Sequence, residues 1–163
     1  MPPSGTERTT FVADAMLGSL ARKLRALGFD TTYYKSGDDS GLMDLAGREN
    51  RVILTSDRSL ASRALGRHLR AILLTGKDDR ARVRRLAKGA QLSGIPLARG
   101  EPLCSVCGSG LTRLEKKDIA GRVPPAVERS HRLFYRCSTC GQTYWRGSHW
   151  KKLRSLARLL KEN

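Results

Sequence analysis

The four cysteines of the chain form two closely spaced pairs, a pattern that predicts a metal site. Two residues separate the cysteines of each pair, so both sulfurs can reach one tetrahedral ion. Gly108 and Gly141 follow the pairs and permit the tight turns that direct backbone amides toward the thiolates. Four thiolates leave no coordination position for a substrate, so we expect a structural zinc ion. The predicted ligands are Cys104, Cys107, Cys137 and Cys140.

Two alternatives to this zinc site fit the sequence less well. A redox Cys-x-x-Cys usually lies at a helix start after a strand and has no twin. His131 and His149 could also bind the metal, although four cysteines are sufficient. A module of about 50 residues has so small a core that it needs a cross-link such as zinc.

Three aspartates predict a second, oxygen-based metal site. Asp14, Asp39 and Asp57 each follow a predicted strand. Because the carboxyl ends of parallel strands share one edge of a sheet, these carboxylates could converge. Gathered carboxylates repel one another unless a divalent cation neutralises them, and Mg²⁺ or Mn²⁺ suits oxygen ligands. Such ions, flanked by basic residues, are used for phosphodiester hydrolysis, where they polarise the phosphate and activate water.

Each aspartate alone has a simpler interpretation as a helix cap. All three precede a predicted helix, and aspartate is a favoured N-cap residue. The chain has only 15 acidic against 31 basic residues, yet acids recur at the same edge of the sheet. That recurrence favours a shared chemical role.

The elements that would hold these aspartates alternate between strand and helix. Leucines from residue 17 to residue 27 repeat at helical spacing, and Gly28 ends that helix. A long basic helix begins at Asp78-Asp79 and runs to about Leu92. This alternation implies parallel crossovers and an α/β fold. The predicted strands are 10–13, 29–34, 52–55 and 71–74.

The alternation stops near residue 100, where glycine, proline and the cysteine pairs begin. The segment between the cysteine pairs is expected to form an inserted hairpin or loop. The terminal helix has a leucine stripe that could lie on a membrane surface or dock on the protein, and we favour docking because no other membrane signal exists. We predict a disordered tail (1–9), an α/β domain (10–98), a zinc ribbon (99–150) and a basic C-terminal helix (151–163).

The net charge of +16 in 163 residues indicates a polyanionic partner, because such a surface repels itself. No apolar run reaches the roughly 18 residues of a membrane span. The first residues have no apolar core typical of a secretory signal. We therefore expect a soluble cytoplasmic protein that binds nucleic acid.

Three segments of the chain resemble one known family. Residues 11–31 read FVADAMLGSLARKLRALGFDT, residues 52–58 read VILTSDR, and residues 137–149 read CSTCGQTYWRGSH. They resemble the opening, the third acidic motif and the appended zinc ribbon of the PIN-like RNase domain named after the C-terminal part of Mut-seven. The resemblance covers about residues 10–150.

This resemblance implies both a fold and an activity. The fold would be a PIN-like parallel sheet flanked by helices, followed by a small four-cysteine zinc ribbon and a basic helix. PIN domains are nucleases related to the FLAP-type fold and include the VapC toxins. The implied activity is a divalent-metal-dependent endoribonuclease that uses Mg²⁺ or Mn²⁺ and leaves a 5′-phosphate and a 3′-hydroxyl.

The resemblance also implies which residues bind the catalytic metal. Asp14 and Asp57 match the first and third acids of the family. Asp39 fits the second position better than Asp38, because the apolar residues of the next helix then fall in the usual places. A fourth acid would be Asp78 or Asp79, unless these cap the basic helix, and a hydroxyl from Ser56 or Thr55 could orient a metal-bound water. The further candidates are thus Asp38, Ser56, Asp78 and Asp79.

Basic and aromatic residues supply candidate RNA contacts. Arg25 matches a family position and could hold a phosphate, although a solvated helix face is the simpler interpretation. Aromatic residues beside the second cysteine pair could stack on unpaired bases or cover the core of the ribbon. The candidate RNA-binding residues are Arg22, Arg25, Arg58, Trp145 and His149.

The sequence therefore predicts an endoribonuclease acting on structured transfer, ribosomal or messenger RNA, as a toxin or an RNA-processing enzyme. A toxin would have an inhibitory antitoxin partner. The main alternative is a non-catalytic zinc-ribbon protein that binds RNA or the ribosome, which leaves the strand-end aspartates unexplained. A DNA-binding regulator has no recognition-helix pattern to support it.

Overall fold

The N-terminal half of the chain builds one parallel sheet. The computed structural model describes residues 8–161, so residues 1–7 of the predicted tail lie outside the described residues. Phe11 of the first strand pairs with Thr31 on one side and Val52 on the other, which places the strand order at β2-β1-β3-β4. The strands are β1 (Phe11–Ala13), β2 (Thr31–Tyr33), β3 (Val52–Thr55) and β4 (Ala71–Leu73).

Helices cover both faces of this sheet, which is why its strands are almost continuously apolar. Phe11 and Ala13 pack into the core with Leu20 and Leu24, whereas Val12 packs into a separate cluster on the opposite face. The predicted α/β fold with a parallel sheet flanked by helices is confirmed. The helices are α1 (Gly18–Ala26), α2 (Asp39–Arg48), α3 (Arg58–Gly66) and α4 (Asp79–Leu92).

The first predicted helix differs from the structure at its start. A 3₁₀ turn at Ala15–Leu17 comes first, and the α-helix begins only at Gly18. At the other end, Gly28 has a φ of 92° and ends the helix as predicted. A Cβ on Gly28 would lie 2.1 Å from the carbonyl oxygen of Gly100, so this close approach requires glycine.

The C-terminal half forms a three-stranded antiparallel sheet in the order β5-β6-β7. The segment between the cysteine pairs contributes β5, β6 and, between them, a 3₁₀ turn (Lys116–Asp118) and a short helix, α5 (Pro125–Ser130), which the sequence did not predict. Ile119, Val123 and Phe134 form a small core of their own. The strands are β5 (Leu111–Leu114), β6 (Phe134–Cys137) and β7 (Thr143–Trp145).

The terminal helix α6 (Ser148–Leu159) packs on the α/β core, and it begins three residues earlier than expected. Leu156 and Leu159 are buried in the same cluster as residues of α1 and α4. The helix therefore docks on the protein, as we favoured over a membrane surface. Thr9 is also buried and donates a hydrogen bond to the carbonyl of Pro96, although the sequence placed it in the tail. Within residues 8–161, no helix combines the length and apolarity needed to cross a membrane.

Candidate functional site

Asp14 and Asp57 follow the adjacent strands β1 and β3, and Thr55 connects them. The Asp14 carboxylate is 6% exposed and accepts hydrogen bonds from the Thr55 hydroxyl and, at 2.9 Å, from the amide of Met16. The same Thr55 oxygen accepts the amide of Asp57 at 2.9 Å. One buried hydroxyl therefore orients both aspartates; we call Asp14, Thr55 and Asp57 the acidic edge.

Asp57 is also the N-cap of α3. Its Oδ1 atom accepts the amides of Ser59 at 2.7 Å and Leu60 at 3.4 Å. Among residues 8–161 no hydrogen bond reaches its Oδ2 atom. Capping a helix and binding a cation are thus compatible uses of this carboxylate.

Asp38 and Asp39 have different roles at the start of α2. Asp38 is the N-cap, and its carboxylate accepts hydrogen bonds from Ser36, Tyr34 and the amide of Gly41, which together hold its pKa below the ordinary value. Asp39 lies in the first turn and forms an ion pair with Arg63 of α3. Capping is therefore done by Asp38, whereas the Asp39 carboxylate is neutralised by Arg63.

At the start of α4, Asp78 caps the helix and Asp79 contacts a neighbouring helix. Asp78 is the N-cap and accepts the amide of Ala81 at 2.7 Å. Asp79 accepts hydrogen bonds from Ser19 at 2.7 Å and from Lys23, both on α1. Burial raises the pKa of Asp79, but hydrogen bonds from Lys23 and Ser19 outweigh it and lower the pKa overall. Asp79 thus joins α4 to α1.

The two hydroxyls that the sequence proposed at this edge, those of Ser56 and Thr55, have different partners. Ser56 donates to the carbonyl of Leu74 at 2.8 Å and holds the ends of β3 and β4 together. Thr55 contacts both Asp14 and Asp57. The sequence signal for Thr55 was its place as the polar last residue of the otherwise apolar strand β3.

The four cysteines converge in a group that could hold a metal ion, as their spacing predicted. Their ligand atoms all lie within 4.8 Å of one another, and within residues 8–161 no other group of three or more His, Cys, Asp or Glu side chains is gathered this closely. Cys104 and Cys140 sulfurs are 3.5 Å apart, and Cys107 and Cys137 sulfurs are 3.4 Å apart. Zn–S bonds of about 2.3 Å in a tetrahedron imply sulfur separations of about 3.8 Å, so the set fits a zinc-type ion.

Backbone turns explain why these sulfurs converge. Gly108 and Gly141 have φ values of 81° and 76° and donate their amides to the carbonyls of Cys104 and Cys137. Hydrogen bonds from the Ser109 hydroxyl and amide lower the pKa of Cys107 to about 6, which favours the thiolate form that binds metal. By contrast, Asp14, Asp39 and Asp57 do not form a comparable group of three.

Arg25 fastens the first cysteine turn to the α/β half. Its side chain is 8% exposed; Nε donates to the carbonyl of Thr31 at 2.7 Å, and Nη1 donates to those of Ser105 and Val106 at 3.3 Å and 3.0 Å. Burial lowers the pKa of this guanidinium. Arg25 is therefore not accessible to an RNA phosphate. The helical pattern of α1 indicated an outward-facing side chain, because it carries no information on the ribbon that covers this residue.

The other candidate RNA contacts are accessible. Arg58 is exposed in the first turn of α3, and Arg22 is exposed on α1. Arg22, Trp145 and His149 line one cleft where α1, β7 and α6 meet. The structure thus brings three of the five together and places Arg58 beside Asp57.

Comparison with protein-family models places residues 9–157 of this chain in one family, described as the Mut7-C RNAse domain. The match runs from β1 through the ribbon into α6, so it covers both the acidic edge and the four cysteines. Comparisons with curated proteins and with solved structures found no match. The chain therefore belongs to the Mut7-C RNAse domain family.

Proposed function

We propose that the protein is a divalent-metal-dependent endoribonuclease that hydrolyses phosphodiester bonds of structured RNA. The nuclease domain would comprise residues 10–98, and the ribbon (99–150) with the terminal helix would help to hold the RNA. Membership of an RNase family supports the activity class. The metal dependence rests on the acidic edge.

The observation that carries this proposal is a buried carboxylate without a cationic partner. Asp14 is 6% exposed, yet no ion pair within residues 8–161 involves Asp14 or Asp57, in a chain with 31 lysines and arginines. Buried carboxylates are normally paired or coordinate metals. Asp39 and Asp79, by comparison, are both neutralised by basic side chains.

The donor set of this edge fits a hard divalent cation. Carboxylate oxygens are the ligands that Mg²⁺ and Mn²⁺ prefer. Asp14 and Asp57 would hold the ion, and Asp39 would join them when RNA phosphate draws Arg63 away. When bound, the ion would polarise the phosphate and lower the pKa of the attacking water.

The protein's own side chains would position these ligands and the substrate. Thr55 keeps the Asp14 carboxylate oriented through its hydroxyl, and it accepts the amide that begins the Asp57 turn. Arg58, one residue beyond Asp57, would contact a backbone phosphate. Hydrolysis by water needs no covalent enzyme intermediate and would leave the 5′-phosphate and 3′-hydroxyl implied by the family resemblance.

The decisive test is cleavage of total cellular RNA by purified protein with Mn²⁺ or Mg²⁺, with the ends mapped by sequencing. We expect discrete cuts with 5′-phosphate ends. Asp14→Asn and Asp57→Asn should lower the rate by more than about 100-fold, because even groups that only orient a metal ligand cost up to that much. Asp44→Asn, an exposed substitution on α2 whose ion pair with Arg67 is long at 3.6 Å, is the matched control.

A non-catalytic RNA-binding protein is the second candidate, and one observation favours it. Asp14 and Asp57 already serve as caps, of the 3₁₀ turn and of α3, and Asp39 already has a basic partner. Under this alternative, the unmutated protein and Asp14→Asn would bind RNA equally and neither would cut it with any divalent metal. That result would return the aspartates to a structural role.

A further inference from the structure

A cleft of about 760 Å³ opens between α1, the ribbon and α6. Basic residues from all three surround it: Arg22 and Lys23 from α1, Arg146 from the ribbon and Lys152 from α6. Glu101 is the acidic residue among those that line it. The interior is mainly apolar, so the cleft combines a cationic rim with a surface for flat, uncharged groups.

The aromatic residues of this cleft are not equivalent. Tyr144 is held by the cysteine turn, since its phenol contacts the Cys104 sulfur at 3.0 Å and accepts the Ser105 amide at 3.2 Å. Trp150 is already stacked against the guanidinium of Arg146, 5.1 Å from the ring centre. Trp145 is 36% exposed and is among the few large apolar side chains that are exposed.

The position of Trp145 is fixed by the backbone beside it. It lies at the end of β7, paired with the fully buried Phe134 of β6. A Cβ on Gly147 would approach the indole nitrogen to 3.1 Å, so glycine lets the ring pack closely against the turn into α6. Because the indole ring is already positioned by this packing, it loses little conformational freedom when a flat ligand stacks on it.

We propose that this cleft binds an unpaired segment of RNA, with one base stacked on Trp145 and its phosphates on the cationic rim. Stacking on an aromatic side chain requires an unstacked base, whereas an RNA duplex is recognised through its shape and backbone. A cationic rim around an apolar interior matches the phosphates and base of one strand. Trp145 and Lys152 are then binding residues distinct from the acidic edge.

The cleft is also connected to the acidic edge. The 3₁₀ turn capped by Asp14 leads directly into α1, whose Ser19 and Lys23 line the cleft and bind Asp79. An RNA strand in the cleft would run along α1 toward Asp14. This binding mode rests on the proposed function, because RNA is taken to be the substrate, and it requires that the RNA be unpaired beside the cut.

The test is binding of a fluorescently labelled oligouridine of six nucleotides to the whole zinc-loaded chain. Fluorescence anisotropy would measure it without added Mg²⁺ or Mn²⁺. Trp145→Ala should weaken binding about tenfold. Trp145→Phe should restore most of the affinity, because phenylalanine still stacks, whereas a packing role alone would not predict that rescue. Zinc content and circular dichroism establish that each variant is folded.

Two neighbouring lysines provide the matched charge control. Lys152 lines the cleft and Lys151 does not, although both are exposed on α6. Lys152→Ala should weaken binding and reduce the dependence of log affinity on log salt by about one. Lys151→Ala should change both much less than Lys152→Ala does, and a blunt RNA duplex should bind the unmutated protein and Trp145→Ala equally.

Equal RNA binding by the unmutated protein, Trp145→Ala and Lys152→Ala would overturn the proposal, and an apolar peptide would become the better occupant. A duplex that competes as well as the single strand would also overturn it. Failure of the proposed nuclease function looks different: the cleft variants would lose binding as expected while the unmutated protein cuts no RNA. Conversely, cutting that is indifferent to Trp145 would reject only the cleft.

Discussion

In the ribbon, four sulfur atoms lie within 4.8 Å of one another, whereas at the sheet edge Asp14 and Asp57 are linked only through Thr55. The sulfurs are brought together by two tight glycine turns, each formed within one cysteine pair. The aspartates also cap helical turns. The closed site is thus built from two local turns that the β5–β6 pairing brings together, while the open site shares its ligands with helix caps.

Removal of the cysteine site should have the largest effect on the molecule. Cys137→Ser should abolish zinc binding and unfold the ribbon, because structural zinc contributes on the order of 10 kcal/mol to folding. The parallel sheet, which has its own core, should keep its amide protection. Zinc content together with hydrogen exchange resolved by segment would check this, and loss of protection throughout β1 and β3 would mean that the two halves fold as one unit.

The junction between the two regions depends on Arg25. Arg25→Ala removes three hydrogen bonds to main-chain carbonyls and the buried stem of the side chain, so the free energy of unfolding should fall by about 3 kcal/mol. Urea unfolding would measure it. Arg22→Ala, an exposed neighbour on the same helix, should change the free energy of unfolding by less than about 0.5 kcal/mol; equal losses for both would argue against the junction.

The hydroxyl of Thr55, which connects the two aspartates of the acidic edge, should affect metal binding. Thr55→Val keeps the shape of a fully buried side chain but removes the donor to Asp14. We expect the Mn²⁺ concentration that gives half-maximal RNA cleavage to rise about 10-fold to 100-fold, with zinc content unchanged. Thr55→Ser keeps the hydroxyl and should bring the half-maximal Mn²⁺ concentration back close to that of the unmutated protein. Matching Mn²⁺ dependence for Thr55→Val and the unmutated protein would remove Thr55 from the site.

The smallest effect concerns Asp79, the candidate acid that basic residues neutralise. Its folded-state pKa is lowered, so its contribution to stability is present above the unfolded pKa of about 3.9 and is lost as pH falls through the folded pKa. Asp79→Asn should lower the free energy of unfolding by about 1 kcal/mol at neutral pH, because Lys23 is partly exposed.

Urea unfolding at pH 7 and at pH 3 would check this sign. The stability difference between Asp79→Asn and the unmutated protein should narrow at the lower pH. Asp44→Asn should show no comparable change. A difference that widens on acidification would mean that the folded-state pKa of Asp79 is raised.

Local patterns were sufficient to predict the four strands of the parallel sheet and the grouping of the cysteines. Val52 to Thr55 form a strand as their β-branched, apolar composition indicates, and each cysteine turn is closed by the amide of the glycine that follows it. The partners of charged groups could not be predicted in this way. Arg25 contacts carbonyls some eighty positions away, and Asp39 pairs with Arg63 on another helix, so both depend on how whole elements pack.

The approach of Gly28 to Gly100 also limits which sequences this chain can tolerate. Every side chain larger than hydrogen would collide with a backbone carbonyl that cannot rotate away, and the positive φ adds a second penalty. In a library of single substitutions selected only for folding, Gly28 should therefore be more depleted than the exposed Asp57. A glycine with no chemistry of its own is thus less replaceable than a candidate metal ligand.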